Sequence, residues 1–129
     1  HNIMDFHRNK PIYLQIVDVI SQKIVSKEWK EETKIPTVKE LAKELEVNHN
    51  TLMRSLELLQ SENILASKRG IGIFLTKDSY QNALNLMSKT FYENQVPEFF
   101  ATMNSLKITL GELIDLYKSN KKANETSFI

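Results

Sequence analysis

Residues 35–75 leave a folding chain few options. Pro36 disfavours helix at Ile35, so a new element has to begin just after it, and Thr37 with Glu40 has the spacing of a capping box that opens one. The helix predicted there, 38–45, buries Leu41, Ala42 and Leu45, and Val47 is the apolar plug of a tight turn between two crossing helices. Asn48 is a good N-cap for the next helix. In that helix Leu52, Leu56 and Leu59 share one face, which turns His49, Asn50, Met53, Arg54 and Glu57 to the other. Two short β-prone runs, 64–67 and 73–76, then flank Lys68, Arg69, Gly70, Ile71 and Gly72 as a hairpin with a basic tip. Helix, turn, helix and hairpin in this order predict a winged helix-turn-helix.

The flanks are helical. Ile12, Ile16, Val19, Ile20 and Ile24 recur at helical spacing after Pro11, a residue that a first turn tolerates. Beyond Asp78, the stripe Tyr80, Leu84, Met87 and Phe91 predicts a helix ending near Val96 and Pro97. After a break come a short amphipathic segment, 98–103, and a last helix opened by Thr109 and Glu112 with the stripe Leu110, Leu113, Ile114 and Tyr117. The expected fold is mainly α with a small β-hairpin: a winged helix-turn-helix at 10–77, a short C-terminal helical dimerisation region at 78–120, and a flexible polar tail at 121–129. Short helices enclose little volume, so the two C-terminal stripes are expected to pair with those of a second copy rather than form a private core or a ligand cavity.

Composition narrows the chemistry. The 129 residues carry a net charge of +1, so any electropositive surface must be local, and the absence of cysteine excludes disulfides and thiolate metal sites. No apolar run approaches the ~20 residues of a membrane span, and no secretory signal is visible, so a soluble, cytoplasmic protein without membrane contact is expected. His1 in place of Met, with Met4 close by, reads as a short remnant or alternative start over residues 1–3. The carboxylates form no recognisable acid–base pair or oxyanion motif, and His1, His7 and His49 lack metal-ligand spacing. Neither catalysis, metal nor cofactor is expected. The two glycines of the hairpin are not a dinucleotide fingerprint, because strand rather than helix follows Gly72.

A major groove admits one α-helix, and side chains at its N-terminal end reach base edges. His49, Asn50, Met53 and Arg54 are the expected readers: Arg54 suits guanine, Asn50 suits adenine, and Met53 can pack on a thymine methyl. Thr37 and Lys39 can grip phosphate and set register, while Lys68 and Arg69, on a wing loosened by Gly70 and Gly72, can meet phosphate or enter a minor groove.

Four separated blocks in order, Pro11-Ile-Tyr-Leu-Gln-Ile16, Ile35-Pro-Thr-Val-Lys-Glu-Leu-Ala42, Val47-Asn-His-Asn-Thr-Leu-Met-Arg54 and Gly70-Ile-Gly-Ile-Phe-Leu75, resemble the N-terminal domain of GntR-family bacterial transcription regulators over about half the chain. Asn48, Asn50, Thr51 and Arg54 resemble the recognition block of the YtrA subfamily, whose C-terminal part is also short and helical. The resemblance implies a homodimeric repressor or activator, often of operons encoding ABC transporters, with a double-stranded operator as partner and no large effector domain. It places Thr37 and Lys39 in a backbone-contacting block, His49, Thr51 and Arg54 on the recognition helix, and Gly72 at the wing tip. Lys39 stands where the family has arginine and so gives up bidentate geometry, Glu46 stands at a position usually held by glycine, and Glu31-Glu32 replaces Pro-Gly. If Glu46 needs a positive φ, a strain of order 1 kcal/mol follows. Two other readings remain open at this point: a winged helix that docks proteins through the same exposed face, and a regulator with a small cleft for an effector that no residue pattern identifies.

Overall fold

A computed structural model describes residues 10–127, so the reading of residues 1–3, and His7 with them, lies outside it. The chain divides into two compact units, one up to Lys89 and one from Thr90. The winged-helix boundary expected at 77 and this division at 89 differ by most of one helix.

In the first unit α1 (Ile12–Val25) packs against α3 (His49–Ser61), as does α2 (Val38–Leu45). Ile16, Ile20 and Ile24 from α1, Leu41 from α2, and Leu52, Leu56 and Leu59 from α3 are fully or almost fully buried together. Truncating any of these leucines to alanine costs ~2–5 kcal/mol, because the cavity adds to the lost transfer energy. α1 stops at Val25, directly after the last position of its apolar stripe, and Lys27 turns left-handed at φ 66. Lys23, near the end of α1, lies 3.0 Å from Glu28 and 3.6 Å from Glu44 of α2, and its hydrogen bond to Glu28 holds its ammonium above the usual lysine range.

β1 (Leu65–Lys68) and β2 (Gly72–Leu75) pair antiparallel in the register Leu65 to Leu75 and Lys68 to Gly72. The hairpin has a third partner that no strand alternation in the sequence announces. The Ile35 amide donates to the Ile73 carbonyl and the Leu75 amide to the Thr33 carbonyl, both at 2.9 Å, so residues 33–35 run along β2. α4 (Ser79–Thr90) is fastened to this unit by the Asn63 carbonyl, which accepts from Asn82 Nδ2 at 2.9 Å and Thr76 Oγ1 at 2.8 Å, and by fully buried Ala83.

Three helices end in one way. After α2, the Val47 amide reaches back to the Ala42 carbonyl and the Glu46 amide to Lys43; Ile64 and Asn63 repeat this after α3. Ile108 and Lys107 do the same after α5 (Val96–Ser105) in the second unit. Each is a Schellman closure with an apolar residue following the left-handed one, and none uses glycine: Glu46, Asn63 and Lys107 have φ of 55, 56 and 58.

In the second unit a π turn (Phe91–Gln95) runs directly into α5, and α6 (Leu110–Ser127) follows, with the Glu112 amide donating to the Thr109 hydroxyl oxygen at 3.2 Å. The break expected near Val96 and Pro97 is absent: Gln95 and Val96 both have helical dihedrals. Pro97 lacks an amide and its ring would crowd the carbonyl four residues back; widening the turn before it by one residue relieves that conflict without ending the helix. α6 also continues as helix through 121–127, where the composition suggests a tail. No helix among the described residues is long and apolar enough to cross a membrane.

Candidate nucleic-acid interface

The N-terminus of α2 is closed by the capping box that its sequence announces. The Glu40 amide donates to Thr37 Oγ1 at 3.2 Å, and the Thr37 amide donates to Glu40 Oε1 at 2.9 Å. That amide, and then the hydroxyl, hold the Glu40 carboxyl below the usual carboxylate range. Lys39 lies exposed in the same first turn. Beyond the end of α2, after the turn residues Glu46 and Val47, Asn48 starts α3 by accepting the Asn50 amide on Oδ1 at 2.8 Å, so its side-chain carbonyl oxygen is committed to the cap.

Along α3 the inward set is Leu52, Ser55, Leu56 and Leu59, and His49, Asn50, Arg54 and Glu57 are exposed. Thr51 and Met53 are half-buried. Met53 departs from the expected outward position: it lies beside Leu52 at the flank of the inward stripe and packs on the core, so only part of its side chain remains on the surface. The polar end of the outer face is therefore carried by His49, Asn50 and Arg54.

At the hairpin tip, Lys68, Arg69, Gly70 and Ile71 are all exposed, and the Ile71 amide donates to the Lys68 carbonyl at 2.9 Å. Gly70 takes φ 74 and Gly72 φ 145, conformations that a side chain resists. The Lys68 ammonium rests 4.2 Å from the centroid of the Phe74 ring, a contact worth little at an exposed site and easily given up to a phosphate.

Two side chains that the sequence pattern does not single out belong to this surface. Lys34 lies along the hairpin so closely that a Cβ on Gly72 would come within 2.6 Å of its Cε. Tyr13 of α1 carries the Arg54 guanidinium on its ring face, 3.7 Å from centroid to Cζ. Both contacts join segments far apart in the chain, and no local periodicity signals them.

The expected pairing stripes are placed unevenly. Tyr80, Leu84 and Met87 of α4 are half-buried, and the Tyr80 ring is covered by the Lys27 ammonium at 4.7 Å. In the second unit Phe91, Leu110, Ile114 and Tyr117 are exposed and Leu113 is half-buried; Tyr92, Phe99, Phe100, Leu106 and Leu116 add exposed apolar surface that the stripes omit. Among residues 90–124 no side chain is buried. Among the described residues no three histidine or carboxylate side chains are grouped to hold a metal ion.

Comparison with known proteins places this arrangement. The sequence profile described as "Bacterial regulatory proteins, gntR family" matches residues 12–75. The chain is 30% identical over 114 residues to the uncharacterised HTH-type transcriptional regulator YhcF of Bacillus subtilis, covering 88% of this chain and 93% of that protein. A solved GntR family transcriptional regulator from Listeria monocytogenes superposes with a TM-score of 0.71 at 34% identity, over 88% of this chain and 98% of that one. The DNA-binding domain of AraR, solved in complex with operator ORX1, superposes with a TM-score of 0.50 at 31% identity over 52% of this chain and 81% of that one.

Proposed function

Because the chain belongs to the gntR family of bacterial regulatory proteins and is a transcriptional regulator of that family, we propose that it acts as a homodimer that binds an inverted-repeat operator sequence-specifically. The observation that carries this reading is the exposed polar end of α3, bearing His49, Asn50 and Arg54 and framed by the capped start of α2 and the basic hairpin tip. A solved relative of this domain holds operator DNA, which supports the same use here. In this reading α3 lies in the major groove, where Arg54 donates two edge hydrogen bonds to guanine and Asn50 pairs with adenine. Thr37 and Lys39 contact phosphates and set register, and Lys68, Arg69 and Lys34 meet the backbone or the adjoining minor groove.

Homodimerisation is supported by the second unit. A helical segment with no buried side chain among residues 90–124 and with exposed Phe99, Phe100, Leu110, Ile114, Leu116 and Tyr117 has apolar area to cover, and a second copy covers it symmetrically. Two recognition helices then meet half-sites about one helical turn apart, or a multiple of it. The resemblance of Asn48, Asn50, Thr51 and Arg54 to the YtrA subfamily, and the nearly complete coverage of two relatives of similar length, support assignment to that compact subfamily, with a transporter operon as target and the cytoplasm as location.

The test is a titration on DNA from upstream of the gene and its neighbours. Arg54→Ala should cost ~1–3 kcal/mol of specific binding and relax preference at one base pair, whereas Lys68→Ala should weaken all sequences alike and reduce the salt slope by about 1. An Arg54→Ala protein with unchanged affinity and preference would refute the assigned reading face. Tight binding to another protein that duplex DNA does not compete would favour a protein-docking role instead.

A further inference from the structure

Two consecutive residues of α3 are attached to one residue of α1. Arg54 lays its guanidinium on the ring of Tyr13 at 3.7 Å, and the fully buried Ser55 hydroxyl donates to the Tyr13 carbonyl at 2.7 Å, with the Thr51 carbonyl 3.2 Å away. The hydroxyl contact fixes where α3 sits along α1 at this point, and the ring contact fixes where the guanidinium sits above α3. A Cζ only 3.7 Å from the ring centroid leaves no room for an N–H edge between them, so the guanidinium meets the ring with its face. Reading a guanine uses its edge, where the N–H donors lie. The two demands therefore do not compete: an arginine held on a ring keeps its donors for a base and has already lost much of the rotamer freedom that an exposed arginine must otherwise surrender on binding.

We propose that Tyr13 is a positioning residue for sequence recognition: its ring holds the Arg54 guanidinium in a fixed plane at the exposed face of α3, so that the arginine meets its guanine pre-oriented. This rests on the reading of Arg54 as a base-contacting residue, and it assigns specificity to a residue of α1 that itself need not touch a base.

The test is a double-mutant cycle on the full chain, measuring the ratio of affinity for the operator to affinity for operators substituted one base pair at a time. Tyr13→Leu keeps an apolar body but removes the ring, and should lower that ratio about 3- to 10-fold at the position read by Arg54 and nowhere else. Tyr13→Phe should retain most of the ratio. In the Arg54→Ala background Tyr13→Leu should cost nothing further at that position. Arg54→Lys, which keeps the charge and loses the plane, should also be indifferent to Tyr13→Leu. The inference is overturned if Arg54→Ala alters base preference while Tyr13→Leu does not, or if Tyr13→Leu weakens every sequence equally or keeps its effect without Arg54. If Arg54→Ala itself leaves preference unchanged, the base-reading assignment falls and this inference falls with it, a distinct result. Should Tyr13→Leu fail to fold, NMR of the unmodified protein decides: the Arg54 δ-methylene protons should be shifted upfield by the ring, and ordinary shifts there would refute the stacking.

Discussion

Glu46 takes φ 55 and ψ 47 at the corner between α2 and α3. For a residue with a Cβ this left-handed conformation costs ~1–2 kcal/mol, while glycine there would lose ~0.5–1 kcal/mol more backbone entropy on folding. Glu46→Gly should therefore stabilise the protein by ~0.5–1 kcal/mol, read from the midpoint of a urea melt. This strain was legible only through the family resemblance, which puts glycine at the position of Glu46; the residue type alone does not announce a positive φ. Exposure of His49, Asn50 and Arg54 was legible as well, because three leucines at helical spacing dictate the opposite face. The half-burial of Met53, the lysine alongside Gly72 and the ring beneath Arg54 were not, because each depends on which distant segment arrives beside it.

Among elements, α2 came through sequence to structure with its bounds unchanged, because its start is written in local chemistry: a hydroxyl and a carboxylate at capping distance. The Glu40 carboxyl, held down by the Thr37 amide first and its hydroxyl second, has a lower pKa folded than unfolded. Its contribution to stability is thus complete above the ordinary carboxylate value of 4.5 and is lost as pH falls through the lower folded value. The melting temperature of the unmodified protein should exceed that of Glu40→Gln at neutral pH, and the gap should narrow below that value; a gap that stays constant into acid would show that the charge plays no part in the cap. The wing was legible as a hairpin, but its extra edge along residues 33–35 was not, since Lys34 and its neighbours carry no strand alternation and pair only because Ile35 is drawn into the core. The π turn before Pro97 was equally hidden: a proline announces a conflict, not which way the backbone resolves it.

For the whole molecule, the outline was legible as a polar-faced helix in one half and apolar stripes in the other. The stripes understated the second unit, because Phe99, Phe100, Leu106 and Leu116 lie off the simple spacing yet remain exposed. If the exposed apolar side chains form the proposed homodimer seam, replacing Leu110 and Tyr117 together with glutamate should give a monomer in sedimentation and weaken operator binding sharply, while leaving base preference within one half-site intact. A dimer that survives this double substitution would move the interface elsewhere. The Schellman closures bear on the same question. Since Val47 anchors the corner between α2 and α3, and no glycine loosens it, that corner behaves as a stiff bracket. In the proposed homodimer, any tolerance for one base pair more or less between half-sites must then come from outside the bracket, in the way the two copies are tethered.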